Sequence, residues 1–428
     1  MLSLAASVPV SMALASCGTS GPGAGGGASY WFLSGPPQEG IRAGAVERFN
    51  KANPDTTIKT TTFQNDPYKT KIKTAIGANQ APTIIWGWGG GTLRTYAEAG
   101  QVEDLTSWFN ENSDVKNKLI SSSFGPATID NKIYAMPCET VEPIVLYYNN
   151  RVFDRYNLTP PTSWEDVMPL VRAFKQHGVT PFSLAGQSRW TSMMWLEFLF
   201  DRIGGPELFQ AAFDGEKDAW SHPDAIRALT VVQELAQEEA FGKGFASITA
   251  DSNADQALLY KDQAAMMLHG SWSYGIQQAD GGDFVSSGGL GYMNFPPVEN
   301  GKGDPTNTVG NPGQYLSISA KASAEQKEVA KKFFTTGVLD DQEVKDWIDS
   351  GAVPILKGTQ DQLAANPNAD FVSFVYQTAD EAKVFAQSWD QALDPTAAET
   401  LLENISKLFL RATSPEEFAA SLNAVTAK

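Results

Sequence analysis

The chain from residue 30 to residue 100 alternates short apolar runs with amphipathic segments, and this alternation constrains the fold more than any other feature. Runs of aromatic and β-branched residues at 30–33, 57–63 and 83–86 predict three strands. The segments between and after them repeat apolar residues every three or four positions, which predicts helices. Strands that alternate with helices form mostly parallel sheets covered by helices on both faces, so we predict an α/β fold.

A second α/β unit follows later in the chain. The apolar run at 264–270 predicts a buried strand, and Ser163 with Asp166 has the spacing of a helix capping box. Ser323 and Gln326 repeat that spacing at the start of a later helix. The body therefore contains two α/β units, with no internal repeat and no segment that resembles a membrane span.

The third predicted strand ends in the sequence IIWGWGGG, in which three glycines follow the second of two tryptophans. In open sheets with parallel strands, ligands bind beyond the carboxyl ends of the strands. We therefore expect Trp86, Trp88 and Gly89 at a binding cleft, where glycine lets the backbone approach a ligand. Asn65 follows the preceding strand and is expected at the same edge, whereas Asp66 is expected to cap the next helix.

Five tryptophans stand in polar contexts, beside Gly, Ser, Gln or Asp, near the ends of predicted elements. An indole covers the apolar face of a sugar ring, while amides and carboxylates exchange hydrogen bonds with the hydroxyls. Any one of these tryptophans alone fits core packing as well, but five of them favour a cleft for a neutral saccharide. The five residues are Trp86, Trp88, Trp190, Trp272 and Trp389.

The charge of the chain excludes several classes of partner. The net charge of −17 argues against nucleic acid and anionic lipid, since proteins bind both through basic surfaces. The sequence has no phosphate-binding loop, dinucleotide fingerprint or nucleophile elbow, so we expect no cofactor. The three histidines are far apart and have no cysteine neighbours, so we predict no metal site.

Glu139 and Glu142 are the carboxylates that a glycosidase would need. Glycosidases place two carboxylates on either side of the bond that breaks, usually from separate elements of the fold. Because these two glutamates lie three residues apart on one segment, the sequence favours a binding protein over an enzyme. A secreted glycoside hydrolase stays the alternative. A peptide or amino-acid binder would need a charged clamp, and Arg189 is the one arginine in the candidate cleft loops.

The N-terminus resembles a bacterial lipoprotein signal. Residues 2–15 are apolar and small, and they lead into the sequence LASC, which is typical of a lipobox. We therefore predict a signal at residues 1–16, lipid attachment at Cys17 and a flexible Gly/Ser-rich tether at residues 17–29. No Lys or Arg precedes the apolar run, so a hydrophobic leader of another kind stays open. Cys138 is expected to be an unpaired core residue.

Three longer stretches carry a family resemblance: APTIIWGWGGGTLRTYAEAGQVEDLT, KIYAMPCETVEPIVLYYNNRVFDRYNL and AAMMLHGSWSYG. Together they resemble the extracellular solute-binding proteins of bacterial ABC sugar importers, of the maltose-binding type. The resemblance implies the two-lobed periplasmic-binding-protein-like fold of type II, in which a hinge lets two α/β lobes close on one sugar. It implies lobe 1 at residues 30–137 with 290–337, and lobe 2 at residues 138–289 with 338–428.

The resemblance also assigns residues to the sugar site. Trp272 matches the family's stacking tryptophan, and Glu142 stands where maltose binders place a glutamate that contacts the sugar. Trp389 with Asp390 matches an aromatic position late in the chain that faces the cleft.

Two further parts of the resemblance concern the contact after the third strand and a loop near the hinge. Trp88 and Gly89 stand where maltose binders have an acidic contact, which argues against maltose as the ligand. Asn311 and Gln314 match the loop near the hinge and are expected to contact the sugar.

The implied function is the capture of a short neutral oligosaccharide for import by an ABC permease. The protein is expected to be a monomer that is lipid-anchored at the extracellular face of the cell membrane. The overall look of the sequence is closest to binders of xylo-oligosaccharides such as xylobiose. Binders of cellobiose and chitobiose stay alternatives.

Overall fold

The computed structural model describes residues 27–426 of the chain. The signal predicted at residues 1–16, the lipid attachment at Cys17 and most of the predicted tether lie outside the described residues. The end of the tether needs a correction, because the first strand already begins at Ala28. Ala28 lies opposite Ile58 in the first sheet, so the folded body starts before residue 30.

The strands are numbered here in chain order within the described residues. They are β1 (Ala28–Leu33), β2 (Ile58–Phe63), β3 (Ile84–Gly87), β4 (Thr128–Ile129), β5 (Lys132–Ile133), β6 (Met136–Cys138), β7 (Thr140–Asn149), β8 (Thr180–Ser183), β9 (Ala264–Gly270), β10 (Leu290–Met293), β11 (Thr308–Asn311), β12 (Gln314–Ile318), β13 (Val353–Pro354) and β14 (Phe385–Gln387).

The α-helices are numbered in the same way, and none of them, within residues 27–426, is long and apolar enough to cross a membrane. They are α1 (Gln38–Ala52), α2 (Asn65–Gly77), α3 (Gly90–Glu98), α4 (Thr106–Glu111), α5 (Ser113–Lys118), α6 (Asn150–Tyr156), α7 (Val167–Gln176), α8 (Trp190–Asp214), α9 (Pro223–Gln237), α10 (Ala254–Tyr260), α11 (Ser273–Asp280), α12 (Ala324–Thr336), α13 (Asp341–Asp349), α14 (Gln360–Ala364), α15 (Ala369–Asp380), α16 (Trp389–Ala392), α17 (Pro395–Phe409) and α18 (Pro415–Thr426).

The first sheet has the strand order β2-β1-β3-β12-β6. β2, β1 and β3 run parallel, as expected for strands joined by helices α1 and α2. β12 completes the sheet and runs antiparallel to both β3 and β6. This sheet and the helices that pack on it, including α12 against β1, form lobe 1.

The second sheet has the order β14-β11-β7-β9-β8, and β10 and β13 also pair with β7. β8 runs parallel to β9 and β11 runs parallel to β14, whereas β7 runs antiparallel to both β9 and β11. Alternate residues of β7 belong to two different apolar clusters. Ile144 and Leu146 belong to the first cluster, and Val145 and Tyr147 belong to the second. Helices therefore cover both faces of this sheet, which with them forms lobe 2.

The boundaries predicted for the lobes need two corrections. The sequence places residues 290–311 in lobe 1, but β10 and β11 pair with β7 and so belong to lobe 2. It places α13 in lobe 2, but α13 packs on α1 of lobe 1. Arg48 of α1 forms an ion pair with Asp340, the residue that caps α13. Both errors concern contacts between distant stretches, which local patterns do not encode.

Two crossings between the lobes lie side by side. β6 ends at Cys138 and β7 begins at Thr140, so Glu139 alone joins them, with a φ of 64°. The second crossing joins Asn311, at the end of β11, to Gln314, at the start of β12. The Thr140 N–H donates to Oε1 of Gln314 at 3.1 Å and ties the two crossings together. Polar side chains from both crossings thus lie at the base of the space between the lobes.

Candidate functional site

A cleft between the two lobes encloses a cavity of about 220 Å³. Lobe 1 contributes the segment after β1, the start of α2 and the end of β3. Lobe 2 contributes the starts of α8 and α11, the end of β9 and the segment after β14. Strand ends and helix starts surround the cavity, as expected for ligand sites in open α/β sheets.

Indole rings from both lobes face this cavity. Trp88 enters from lobe 1 and packs edge-on against Trp86, with ring centroids 4.6 Å apart. Trp190 and Trp272 enter from lobe 2, with ring centroids 6.1 Å apart and planes tilted by 44°. All except Trp86 are partly exposed, so apolar faces from opposite lobes remain accessible in one cavity.

A buried ion pair forms the floor of the cleft. Arg42 of α1 donates two hydrogen bonds to Glu139, from Nε to Oε1 at 2.8 Å and from Nη2 to Oε2 at 2.7 Å. The indole Nε1 of Trp86 also donates to Oε1 of Glu139, at 2.6 Å. Trp86 is only 2% exposed, so it holds the floor in place and offers little stacking face.

Glu142 lies beside this floor on β7. The amide of Asn311 donates to its Oε2 at 3.1 Å. Burial raises the pKa of Glu142 to about 7, while the hydrogen bond from Asn311 opposes that rise. Glu142, Asn311 and Gln314 all line the cavity and offer carboxyl and amide groups to a ligand.

A second ion pair crosses the cleft itself. Lys69 of α2, in lobe 1, binds Asp390 of lobe 2 with Nζ 2.9 Å from Oδ2. The same ammonium lies over the indole rings of Trp88 and Trp190, 5.1 and 5.8 Å from their centroids. Because the two cations that line the cavity, Arg42 and Lys69, each have a carboxylate partner, the cleft has no free cationic clamp among the described residues.

Two carboxylates join the lobes at the start of α2. Asp251 of lobe 2 accepts hydrogen bonds from the backbone N–H groups of Asn65 and Asp66, at 3.1 and 3.2 Å. Asp66 in turn accepts from the hydroxyl of Ser188 at 2.6 Å and from Nε1 of Trp190 at 3.2 Å. The expected capping role of Asp66 is wrong, because α2 begins at Asn65, so that Asp66 lies within the first turn, and Asp251 of the other lobe supplies the cap.

The polar wall of lobe 2 contains two deeply buried residues, Gln256 and His269, each 2% exposed. Burial lowers the pKa of His269 to about 4, so the ring is neutral at pH 7. Its Nδ1 accepts from the Gly270 N–H at 3.0 Å and lies 2.6 Å from the Ser273 hydroxyl. The ring therefore stands edge-on between Trp190 and Trp272 as a fixed part of the wall.

The structure brings most of the residues predicted for the site to this one cavity. Their contact with a ligand stays a prediction. The residues that line it are Asn65, Trp86, Trp88, Glu142, Trp190, Trp272, Asn311, Gln314 and Asp390.

Trp389 does not face the cleft, and its predicted stacking role is wrong. The side chain is completely buried in lobe 2, with its ring centroid 4.4 Å from that of Phe209 and 5.1 Å from that of Trp220. The residues on either side of Trp389, Ser388 and Asp390, line the cavity instead. A polar sequence context surrounds Trp389 because its backbone begins the short helix α16, and its indole fills the core.

Gly89 is also wrongly placed in the predicted site. It lies behind Trp88, where a Cβ would stand 2.6 Å from the carbonyl oxygen of Pro126. Its φ of 74° lies in the left-handed region that favours glycine. Gly89 is therefore required by the turn into α3 and by its contact with a neighbouring loop, and it does not line the cavity.

Comparison with known proteins decides the class of the chain. The model of the bacterial extracellular solute-binding protein family matches residues 34–344. The chain belongs to this family. A solved structure from work on xylan utilization by the thermophilic bacterium Caldanaerobius polysaccharolyticus is similar to it, with 30% identity and a TM-score of 0.84. That similarity covers 93% of this chain and 99% of the other.

Two curated relatives are similar over part of their length. An uncharacterized ABC transporter extracellular-binding protein of Pyrococcus horikoshii is 25% identical, over 59% of this chain and 56% of its own. The multiple sugar-binding protein of Streptococcus mutans is 24% identical, over 58% of this chain and 62% of its own. The chain thus spans little more than half the length of these curated relatives. The predicted two-lobed α/β fold and the predicted class, a solute-binding protein rather than an enzyme, are confirmed.

One of the two carboxylates considered for glycoside hydrolysis, Glu139, is not available to a ligand of this solute-binding protein. Both oxygens of Glu139 accept hydrogen bonds from Arg42 in a site that is 3% exposed, so Glu139 cannot reach a glycosidic oxygen. Arg189, the candidate for a charged clamp, forms an ion pair with Glu399. No cluster of three or more potential metal ligands occurs within residues 27–426.

Sequence reasoning missed several residues that the fold of the solute-binding protein brings to the cleft. Each lies on a helix or strand whose local pattern suggests only packing or solvent exposure. The one available signal was the start of α2, which follows the end of β2. The missed residues are Arg42, Lys69, Asp251, Gln256 and His269.

Proposed function

We propose that this protein captures a short neutral oligosaccharide outside the cytoplasm and delivers it to the permease of an ABC importer. The observation that carries the proposal is the position of the partly exposed indoles. Trp88 of lobe 1 faces the same cavity as Trp190 and Trp272 of lobe 2. A saccharide ring presents apolar C–H faces to indoles and hydroxyls to amides and carboxylates, so it suits both kinds of wall.

The charges in the cleft support a neutral ligand. Arg42 and Lys69 are each paired with a carboxylate, Glu139 and Asp390 respectively. A charged ligand would have to break one of these pairs and leave a charge without its partner, which is unfavourable in a buried site. A neutral saccharide can bind without breaking either pair.

Among neutral saccharides, we propose xylobiose or longer xylo-oligosaccharides as the ligand. The resemblance of the sequence to binders of xylo-oligosaccharides favours this class, and so does the structural similarity to a protein from work on xylan utilization. Cellobiose and chitobiose are the competing ligands, because stacking on indole does not distinguish a pentose from a hexose.

Closure of the lobes is the proposed mechanism of capture. A ligand that contacts both lobes favours the closed form in proportion to its differential affinity for that form. The hydrogen bonds and the ion pair that already join the lobes, from Asp251 to α2 and from Lys69 to Asp390, stabilise the same form. The closed monomer would then dock on the permease, held near the membrane by lipid at Cys17.

Isothermal titration calorimetry with xylobiose, cellobiose, chitobiose and maltose tests the proposal. We expect xylobiose to bind with a dissociation constant in the micromolar range or below, about −8 kcal/mol. Maltose is expected to bind more weakly than the others. Absence of binding by all four disaccharides would contradict the function, and tighter binding of cellobiose or chitobiose would contradict the choice of ligand alone.

A further inference from the structure

One buried amide in the wall of the cleft has an oxygen that forms no hydrogen bond within the described part of the chain. Gln256, on α10, is 2% exposed and lines the cavity, yet its Oε1 has no partner there. Buried polar atoms in folded proteins nearly always have a partner, and leaving one without a partner is destabilising. An orphan acceptor in a binding wall is available to a donor that a ligand supplies.

The rest of the Gln256 side chain is held in place. Its Nε2 donates to the side-chain oxygen of Asn253 at 3.1 Å. Because Asn253 takes the N–H side of the amide, the carbonyl side is the one left for another partner. The acceptor is thus oriented before any ligand arrives, which is what gives a single polar group the power to discriminate.

Gln256 shares the wall of lobe 2 with polar residues, such as Asp251 and His269, and with apolar ones. Trp190 and Trp272, and the fully buried Met193 and Met194, line the same cavity from lobe 2. A ligand hydroxyl that reaches this wall can donate to Oε1 of Gln256, which has no other partner within the described residues. A sugar that lacks a hydroxyl at that point would leave the oxygen buried and unpaired, and a site of this kind rejects the deoxy analogue strongly.

We propose that Gln256 is a specificity-determining residue that accepts a hydrogen bond from one hydroxyl of the bound saccharide through Oε1. This inference rests on the proposed function and adds to it a named position at which hydroxylated rings are selected. The ligand class it selects is a saccharide with a free hydroxyl at the ring position facing α10.

The chain offers a matched control for this proposal. Gln277, on α11 of the same lobe, is completely buried, and both of its amide atoms lack partners within the described residues. Gln277 does not line the cavity. If burial of an orphan amide affected binding only through the stability of lobe 2, substitution of either glutamine would have the same effect on affinity.

The test uses calorimetry on the wild type and the isosteric variants Gln256→Met and Gln277→Met. The first ligand is whichever of xylobiose, cellobiose and chitobiose binds the wild type most tightly, and the second set is its monodeoxy analogues. We expect Gln256→Met to weaken binding of the parent roughly tenfold, and Gln277→Met to leave it within about twofold. On the wild type, one monodeoxy analogue should bind roughly tenfold more weakly than the parent sugar. On Gln256→Met, the same analogue and the parent sugar should bind equally well.

Circular dichroism and thermal unfolding establish that both variants are folded before binding is compared. Unchanged affinity of the parent for Gln256→Met overturns the inference. So does a set of deoxy analogues that each lose the same factor on Gln256→Met as on the wild type. A wild type that binds none of the disaccharides overturns the proposed function and this inference with it, whereas the first two results leave the proposed function intact.

Discussion

The carboxylate of Asp251, in lobe 2, accepts a hydrogen bond from the backbone N–H of Asp66, in lobe 1, at 3.2 Å. An N-terminal cap of a helix usually comes from the residue just before the helix. Here Gln64 holds that position without a side-chain bond, and the cap comes from 185 residues further along the chain. The first turn of α2 is therefore capped across the cleft in this structure, and separation of the lobes would remove this cap.

Removal of this cap should weaken ligand binding. Asp251→Ala deletes the hydrogen bonds to the N–H groups of Asn65 and Asp66 and so disfavours the closed form by about 1 kcal/mol. We expect disaccharide affinity to fall about fivefold in calorimetry. Asp394→Ala, which removes a cap within lobe 2, is the control and should lower the thermal midpoint alone. Equal affinity of Asp251→Ala and the wild type would show that the contact does not contribute to closure.

Trp272 is expected to provide a stacking surface for the sugar. Its ring is partly exposed and faces Trp190 in the cavity, so Trp272→Ala should cost about 1–3 kcal/mol of binding free energy. Calorimetry measures the loss, and Trp272→Phe should recover part of it. An affinity within twofold of the wild type for Trp272→Ala would remove Trp272 from the site.

Trp389 should behave in the opposite way. Because its indole is completely buried among Phe200, Phe209 and Trp220, Trp389→Ala should lower the free energy of unfolding by about 3–5 kcal/mol. The milder Trp389→Phe should lower stability less and keep disaccharide affinity unchanged. Urea unfolding and calorimetry on the same preparations separate the two effects. Loss of affinity in a stable Trp389→Phe variant would restore the residue to the site.

The stability of the protein should fall far more when one partner of the ion pair at the floor of the cleft is replaced than when both are replaced. Arg42→Met leaves Glu139, which is 3% exposed, without its cationic partner, and this costs about 3–5 kcal/mol of stability. The double variant Arg42→Met with Glu139→Gln should regain a large part of that loss in urea unfolding. A double variant no more stable than Arg42→Met would contradict the account of the floor as a compensated pair.

Glu142 should make stability depend on pH. Its pKa is raised from 4.5 to about 7 in the folded state, so between those values the folded protein binds more protons than the unfolded chain. The free energy of unfolding should therefore fall as pH rises from about 4.5 to 7 and then level off. Since Glu142 is partly exposed, this contribution is at most about 3 kcal/mol.

Comparison with Glu142→Gln isolates this group from other titrating residues. Urea unfolding at pH 5 and pH 7.5 should show a smaller loss of stability in the variant than in the wild type. Identical losses in the two proteins would mean that the pKa of Glu142 is not raised by folding.

Local signals in the sequence were sufficient for many individual elements. The capping boxes of Ser163 with Asp166 and of Ser323 with Gln326 both form as predicted, because each depends only on residues three positions apart. The strand predicted at 264–270 is β9 in full. Strand pairing is different, since nothing near residue 308 indicates that β11 joins β7 of lobe 2.

The same distinction explains the errors in the site. Trp272 and Trp389 both stand beside serine and begin a helical segment, yet one faces the cleft and the other fills the core. The difference depends on which elements pack against each ring, and this is set by the whole lobe. Lys69 and Asp251 were missed for a related reason, because their partners lie 321 and 186 residues away along the chain.

The central claim is that one neutral saccharide lies between indole rings of opposite lobes. A crystal structure of the protein with xylobiose tests it most directly. We expect the sugar in the cavity between the lobes, with ring carbons within about 4.5 Å of Trp88 on one side and of Trp272 on the other. A sugar that contacts one lobe alone, or that binds outside this cavity, would contradict the account.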